Sequence, residues 1–148
     1  MICVYLLNGV TKKEVLMGNH PRCYFAHHIT DYGTPREIDA IAVIEEAGFE
    51  VDNPNLPEHD EGYKAHGMDY FLGLVATCDA LALQRFETGE IGAGVGKEVS
   101  EAVTLGIPVY EVVGNILTLI DGNTIHESVL SVDATRALIR ALRSARES

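Results

Sequence analysis

Apolar positions along this chain fall into short continuous runs and helical spacings, separated by glycine, proline and charge. Arg22-Cys-Tyr-Phe-Ala26 is one such run, ending in His27-His28, and it reads as a buried strand. Thr34-Pro35-Arg36-Glu37 follows as a capping box with proline at the first helical position. Ile38, Ile41, Ala42 and Ile44 then recur at helical spacing until Gly48 stops the pattern. Residues 49–51 predict a second strand, broken by Asn53-Pro54-Asn55-Leu56-Pro57. The polar stretch 55–67, with Glu58, His59, Asp60, Glu61, Lys64 and His66, predicts an exposed loop or lid.

The second half repeats the alternation. Phe71, Leu72, Leu74 and Val75 give residues 68–77 a helical spacing, and Ala80-Leu-Ala-Leu83 reads as a short strand. Residues 89–96 form a glycine-rich turn, 97–105 a helix stopped by Gly106, and 108–113 the next strand. Residues 2–7 fit an edge strand, and 116–120 with Asp121-Gly122 fit the opening of a hairpin. Ser131 or Asp133 caps a last helix running to Arg143, with Leu138, Ile139 and Leu142 facing inward. Strands alternating with helices in this way imply right-handed βαβ units. The expected fold class is therefore α/β: a single Rossmann-like, flavodoxin-like three-layer domain with a mainly parallel sheet. It spans residues 1–148, with 114–148 as a hairpin-like segment and a C-terminal helix.

Composition narrows the function classes. The 148 residues fit one domain, and 47% hydrophobic content is enough for a core without disulfide or metal staples. The net charge of −11 disfavours a nucleic-acid polymer as partner, because that needs a basic footprint. A small phosphorylated ligand stays open, since one helix amino terminus can hold an anion. Cys3, Cys23 and Cys78 are widely spaced with no Cys-x-x-Cys pair, as expected of reduced thiols in the cytoplasm. Residues 1–7 are too short to span a bilayer, and every later apolar run is interrupted, so no membrane partner is expected.

The chemistry gathers at Gly89-Glu-Ile-Gly92-Ala-Gly94-Val-Gly96-Lys97-Glu98, between a strand and a helix. Ligands of open α/β sheets bind at the carboxyl ends of strands, where such turns lie. Ile91 and Glu98 break a Walker pattern, and G-x-G-x-G after a late strand is not a dinucleotide fingerprint. ATP hydrolysis and NAD binding are thereby disfavoured. A lone glutamate in a first helical turn ordinarily complements the helix dipole and does nothing more. Glu98 stands out through its glycine-rich approach and the nearby strand end.

Tyr24-Phe-Ala-His-His28, Asn53-Pro54, Cys78-Asp79-Ala-Leu-Ala-Leu83, Gly94-Val-Gly-Lys-Glu98 and Gly106-Ile-Pro-Val109 together resemble the nucleoside 2-deoxyribosyltransferase-like superfamily. The likeness covers residues 22–113. It implies an N-glycosidase or deoxyribosyltransferase acting on a (deoxy)nucleoside or nucleoside 5′-monophosphate, without a cofactor. Glu98 would be the nucleophile that attacks the anomeric carbon, as suits an oxocarbenium-like transition state. Gly92 stands where the superfamily commonly has an acid, so Glu90 is the candidate substitute. Asp69 lies close to the place of a second acid. Tyr24, Phe25, Ala26, His27 and Asn53 would line the base and sugar pocket. Gly92, Gly94, Val95 and Gly96 would offer backbone N–H groups, and Lys97 would meet a phosphate. The resemblance also implies a homodimer or higher homo-oligomer. His27 or His28 is a candidate proton donor, since imidazole titrates near neutrality.

Two other readings stay open. One is a nucleotide-sensing module without turnover; the other is a phosphoribohydrolase of the cytokinin-activating type, whose turn Gly92 to Glu98 partly imitates. No metal is expected, because the six histidines include no H-E-x-x-H and no Cys/His cluster with ligand spacing.

Overall fold

A computed structural model of the protein describes residues 20–147. The expected strand at residues 2–7, and Cys3, lie outside these residues. Five strands build one sheet: β1 (Arg22–Ala26), β2 (Glu50–Asp52), β3 (Ala80–Leu83), β4 (Val109–Val113) and β5 (Ile116–Ile120). Their order is β2-β1-β3-β4-β5, parallel throughout except that β5 runs antiparallel to β4. This is the Rossmann-like, three-layer α/β arrangement that the alternation predicts.

β1 and β3 are buried from both sides, which is why they read as unbroken apolar runs rather than alternating ones. Successive side chains still point to opposite faces. Tyr24, Leu81 and Leu83 join one core cluster with Val95 and Val99, while Cys23, Phe25, Ala80 and Ala82 join the other with Ala40 and Ile44. Helix α1 (Pro35–Glu46) covers the second cluster. Helix α2 (Asp60–His66) leads directly into α3 (Met68–Ala76). α3 and α4 (Ala93–Thr104) cover the first cluster, and α5 (Val132–Glu147) packs beside α4.

Several boundaries differ from the sequence expectation, each for a local reason. The second strand is Glu50–Asp52, one residue later than expected. The polar stretch 55–67 is a short 3-10 turn (Pro57–His59) followed by α2, not an open loop. Gly62 permits this, because a Cβ there would sit 2.0 Å from the Tyr70 ring. The helix after the glycine-rich turn starts at Ala93, four residues before Lys97, with Gly92 as its extended N-cap. Gly94 and Gly96 are therefore helical residues. A Cβ on Gly96 would lie 2.7 Å from Val129 Cγ1, so its role is close packing.

The hairpin closes between Val113 and Ile116, through Gly114 at φ 60°, while Asp121-Gly122 opens a 3-10 segment instead. At the last helix, the Ser131 hydroxyl accepts the Ala134 N–H at 3.1 Å. Leu138, Ile139 and Leu142 are half-buried rather than core residues. No described helix is long and apolar enough to cross a membrane.

Candidate active site

From β1 the chain crosses to β2 on one side, then returns to β3 on the other side of β1. The crevice outside the carboxyl ends of β1 and β3 is thus the point where strand order reverses, the ordinary ligand position in such sheets. A cavity of about 480 Å³ opens there. Tyr24 of β1 and His27 and His28 just beyond it form one wall, and Gly92, Gly94, Val95 and Glu98 from the start of α4 form another. The α2–α3 segment covers it with Asp60, Tyr63, Met68 and Phe71, and Thr135 and Ile139 of α5 close the roof.

Glu98 is 5% exposed, and the Tyr24 hydroxyl donates to its Oε2. Burial pushes the Glu98 carboxyl up to about 8, against the lowering effect of that hydrogen bond. Tyr24 itself is pushed far above its ordinary range by burial and by the neighbouring Glu98, so it stays a donor. The arrangement is a carboxyl near its titration point, held by one neutral donor, at the end of a concave site.

The two histidines are committed in different ways. His27 places Nδ1 2.9 Å from the Phe25 carbonyl and Nε2 2.6 Å from Glu37 Oε2, while its ring stacks on Phe25 at 3.8 Å. Burial lowers its pKa although Glu37 pulls the other way. Burial also opposes ionisation of Glu37, but hydrogen bonds from His27 and the Gly33 N–H outweigh it and lower that carboxyl. With both nitrogens engaged, His27 offers the cavity a ring face, not a proton. His28 Nε2 accepts the Gly92 N–H at 2.9 Å, which puts the ring proton on Nδ1, an atom that is buried and has no partner. Burial, together with the charges of His27 and Arg36, pushes this imidazole down to about 3, so it is neutral.

The cap is tied to the sheet by a buried polar chain. Asp52, at the end of β2, accepts from His59 Nε2 at 3.1 Å, and His59 Nδ1 meets the Tyr70 hydroxyl at 2.7 Å. Arg22 also binds Asp52, at 2.8 Å. This chain fixes the 3-10 turn and α3 on either side of α2.

Of the residues singled out in the sequence, Glu98, Tyr24, His27, Gly92, Gly94 and Val95 converge on the cavity. Phe25 and Ala26 are core residues beneath it, and Asn53 is spent on an Asx turn, its Oδ1 accepting the Asn55 N–H at 2.9 Å. Lys97 and Gly96 face a second groove of about 590 Å³ on another side of α4. Asp69 is exposed and borders a separate groove with His66 and Tyr70. Glu90 does not line the cavity, and its Oε1 is buried without a hydrogen-bond partner. Neither candidate second acid therefore meets Glu98.

Sequence reasoning missed Tyr32, Tyr63 and Phe71 as cavity walls, and Thr135 and Ile139 as its roof. The apolar stripe of α5 was the one available signal, and it did not say which surface the helix would cover. Among the described residues, no group of three or more His, Cys, Asp or Glu is placed to hold a metal ion. No family model, curated protein or solved structure matches this chain.

Proposed function

We propose that the protein is an N-glycosidase or deoxyribosyltransferase acting on a (deoxy)nucleoside or nucleoside 5′-monophosphate, with Glu98 as nucleophile. The observation that carries this reading is the placement of Glu98: a buried carboxyl, hydrogen-bonded by Tyr24, in an aromatic-walled cavity at the strand-order reversal. In the ionised form its free oxygen attacks the anomeric carbon. The glycosidic C–N bond breaks, and the base leaves with the bonding pair and takes a proton from solvent. Water then attacks the glycosyl ester and releases the sugar and the carboxylate, or a second base takes the sugar instead. Tyr24 stays on Oε2 through both steps, orienting the nucleophile and then stabilising the departing carboxylate.

Burial holds the Glu98 carboxyl near 8, so base release should rise as pH increases toward that value. The test is a panel of ribo- and deoxyribonucleosides and their 5′-monophosphates, with free base followed by chromatography. Wild type should release base from at least one member, and Glu98→Gln, shown folded by circular dichroism, should be slower by at least ~1000-fold. Equal rates in the two proteins would overturn the assignment. A sensing module without turnover is the second reading, favoured by the position of Asp69 and Glu90 away from Glu98. It is the outcome if ligands bind and no base is released.

A further inference from the structure

The charge and hydrogen-bonding inventory of the cavity wall points further, to the phosphorylation state of the ligand. We infer that this cavity takes an uncharged nucleoside and turns away its 5′-monophosphate; the inference rests on the nucleoside reading above.

A phosphate is held by cations, by free N–H groups at a helix start, or by hydroxyls. Among the described residues, none lining the cavity is Lys or Arg. Lys97, one residue before Glu98, faces the second groove with Ser100 and Glu101. Arg36 and Arg146, which flank the turn after His28, are both committed to Asp31.

The start of α4 is largely used up by the protein itself. The Gly92 N–H goes to His28 Nε2, the Ala93 N–H to Thr135 Oγ1 at 2.9 Å, and the Gly96 N–H to the Gly92 carbonyl. The Thr135 hydroxyl in turn donates to the Ser131 carbonyl at 2.7 Å. Gly94 and Val95 keep N–H groups without an intrahelical acceptor, enough for a sugar hydroxyl. Both sit at the same helix start as Glu98, whose ionised, attacking form offsets their pull on an anion. Neither imidazole supplies a free cation: His28 accepts at Nε2 and is neutral, and both nitrogens of His27 face oxygen.

Against this absence of positive charge among the described lining residues stand exposed Asp60 on the cap and, in the ionised form that attacks, buried Glu98. Like charge at both sides of one cavity disfavours a dianion far more than a neutral sugar. The remaining wall is aromatic, with Tyr32, Tyr63 and Phe71, and Tyr63 lies against Phe71 with ring centroids 5.1 Å apart. Such faces suit a flat base.

The experiment is equilibrium dialysis of the full chain against the deoxynucleosides of the four common bases and their 5′-monophosphates, with base release followed in parallel. At least one nucleoside should bind about tenfold or more tightly than its own monophosphate. Asp60→Lys, at an exposed position and shown folded by circular dichroism, should raise monophosphate affinity and narrow that gap. A monophosphate that binds as tightly as its nucleoside overturns the inference; if it also releases base, the glycosidase reading survives alone. A nucleoside that binds more tightly than its monophosphate but releases no base upholds the inference and removes the enzyme. Failure of every nucleoside to bind overturns both.

Discussion

Glu98 is held between two opposed influences, and each has a measurable consequence. Burial disfavours its charge, and Tyr24 partly restores it. The native state therefore keeps this proton up to about 8, whereas an unfolded glutamate releases it near 4.5. The native state binds the extra proton between those values, so the group's contribution to stability is full below about 4.5 and is lost as pH rises to about 8. The loss should be on the order of a few kcal/mol. His28 acts on the acid side, because a ring held neutral down to about 3 favours unfolding as pH falls below 6.5. Urea denaturation at pH 6 and pH 8.5, for wild type and Glu98→Gln, separates the two. Wild type should lose stability between these pH values and the variant should lose much less. Parallel curves would mean that Glu98 is ionised throughout.

At the scale of elements, α4 explains both what was legible and what was not. Its apolar positions Val95, Val99 and Ala102 recur at helical spacing, yet glycines at 92, 94 and 96 read as a turn. The close approach of Val129 accounts for glycine at 96 inside a helix. Gly96→Ala should therefore destabilise by about 1–2 kcal/mol despite alanine's better helix propensity, because the new methyl meets a stiff β-branched neighbour. Thermal unfolding checks this, and a raised melting temperature would refute it.

β1, β3 and α1 were readable because burial on both faces and a local Thr34-Pro35 start are written in adjacent residues. The cap was not, since it is polar outside and is held by Asp52 and Tyr70, far from His59 in sequence. The site was half legible for the same reason. Lys97 and Asp69 are each one residue from cavity positions, Glu98 and Met68, and neighbours one apart on a helix face different ways.

On the scale of the whole molecule, α5 is fastened to the turn that follows β1. Arg146 donates to the Thr30 carbonyl and lies 3.8 Å from Asp31 and 3.7 Å from Glu87. Asp31 is 2% exposed and shares its charge with Arg36 as well. Arg146→Ala should cost about 1 kcal/mol, given the half-exposed guanidinium. It should also raise hydrogen exchange in α5 while leaving β1 and β3 protected. Unchanged exchange in α5 would mean that packing alone seats the helix.

That fastening also sets an order of events during synthesis. Tyr24 leaves the ribosome more than a hundred residues ahead of Thr135 and Ile139, which roof the same cavity. Until they do, the Ala93 N–H lacks Thr135 and the cavity stands open to water above Glu98. A nascent chain can thus assemble most of its sheet well before it holds a closed ligand site.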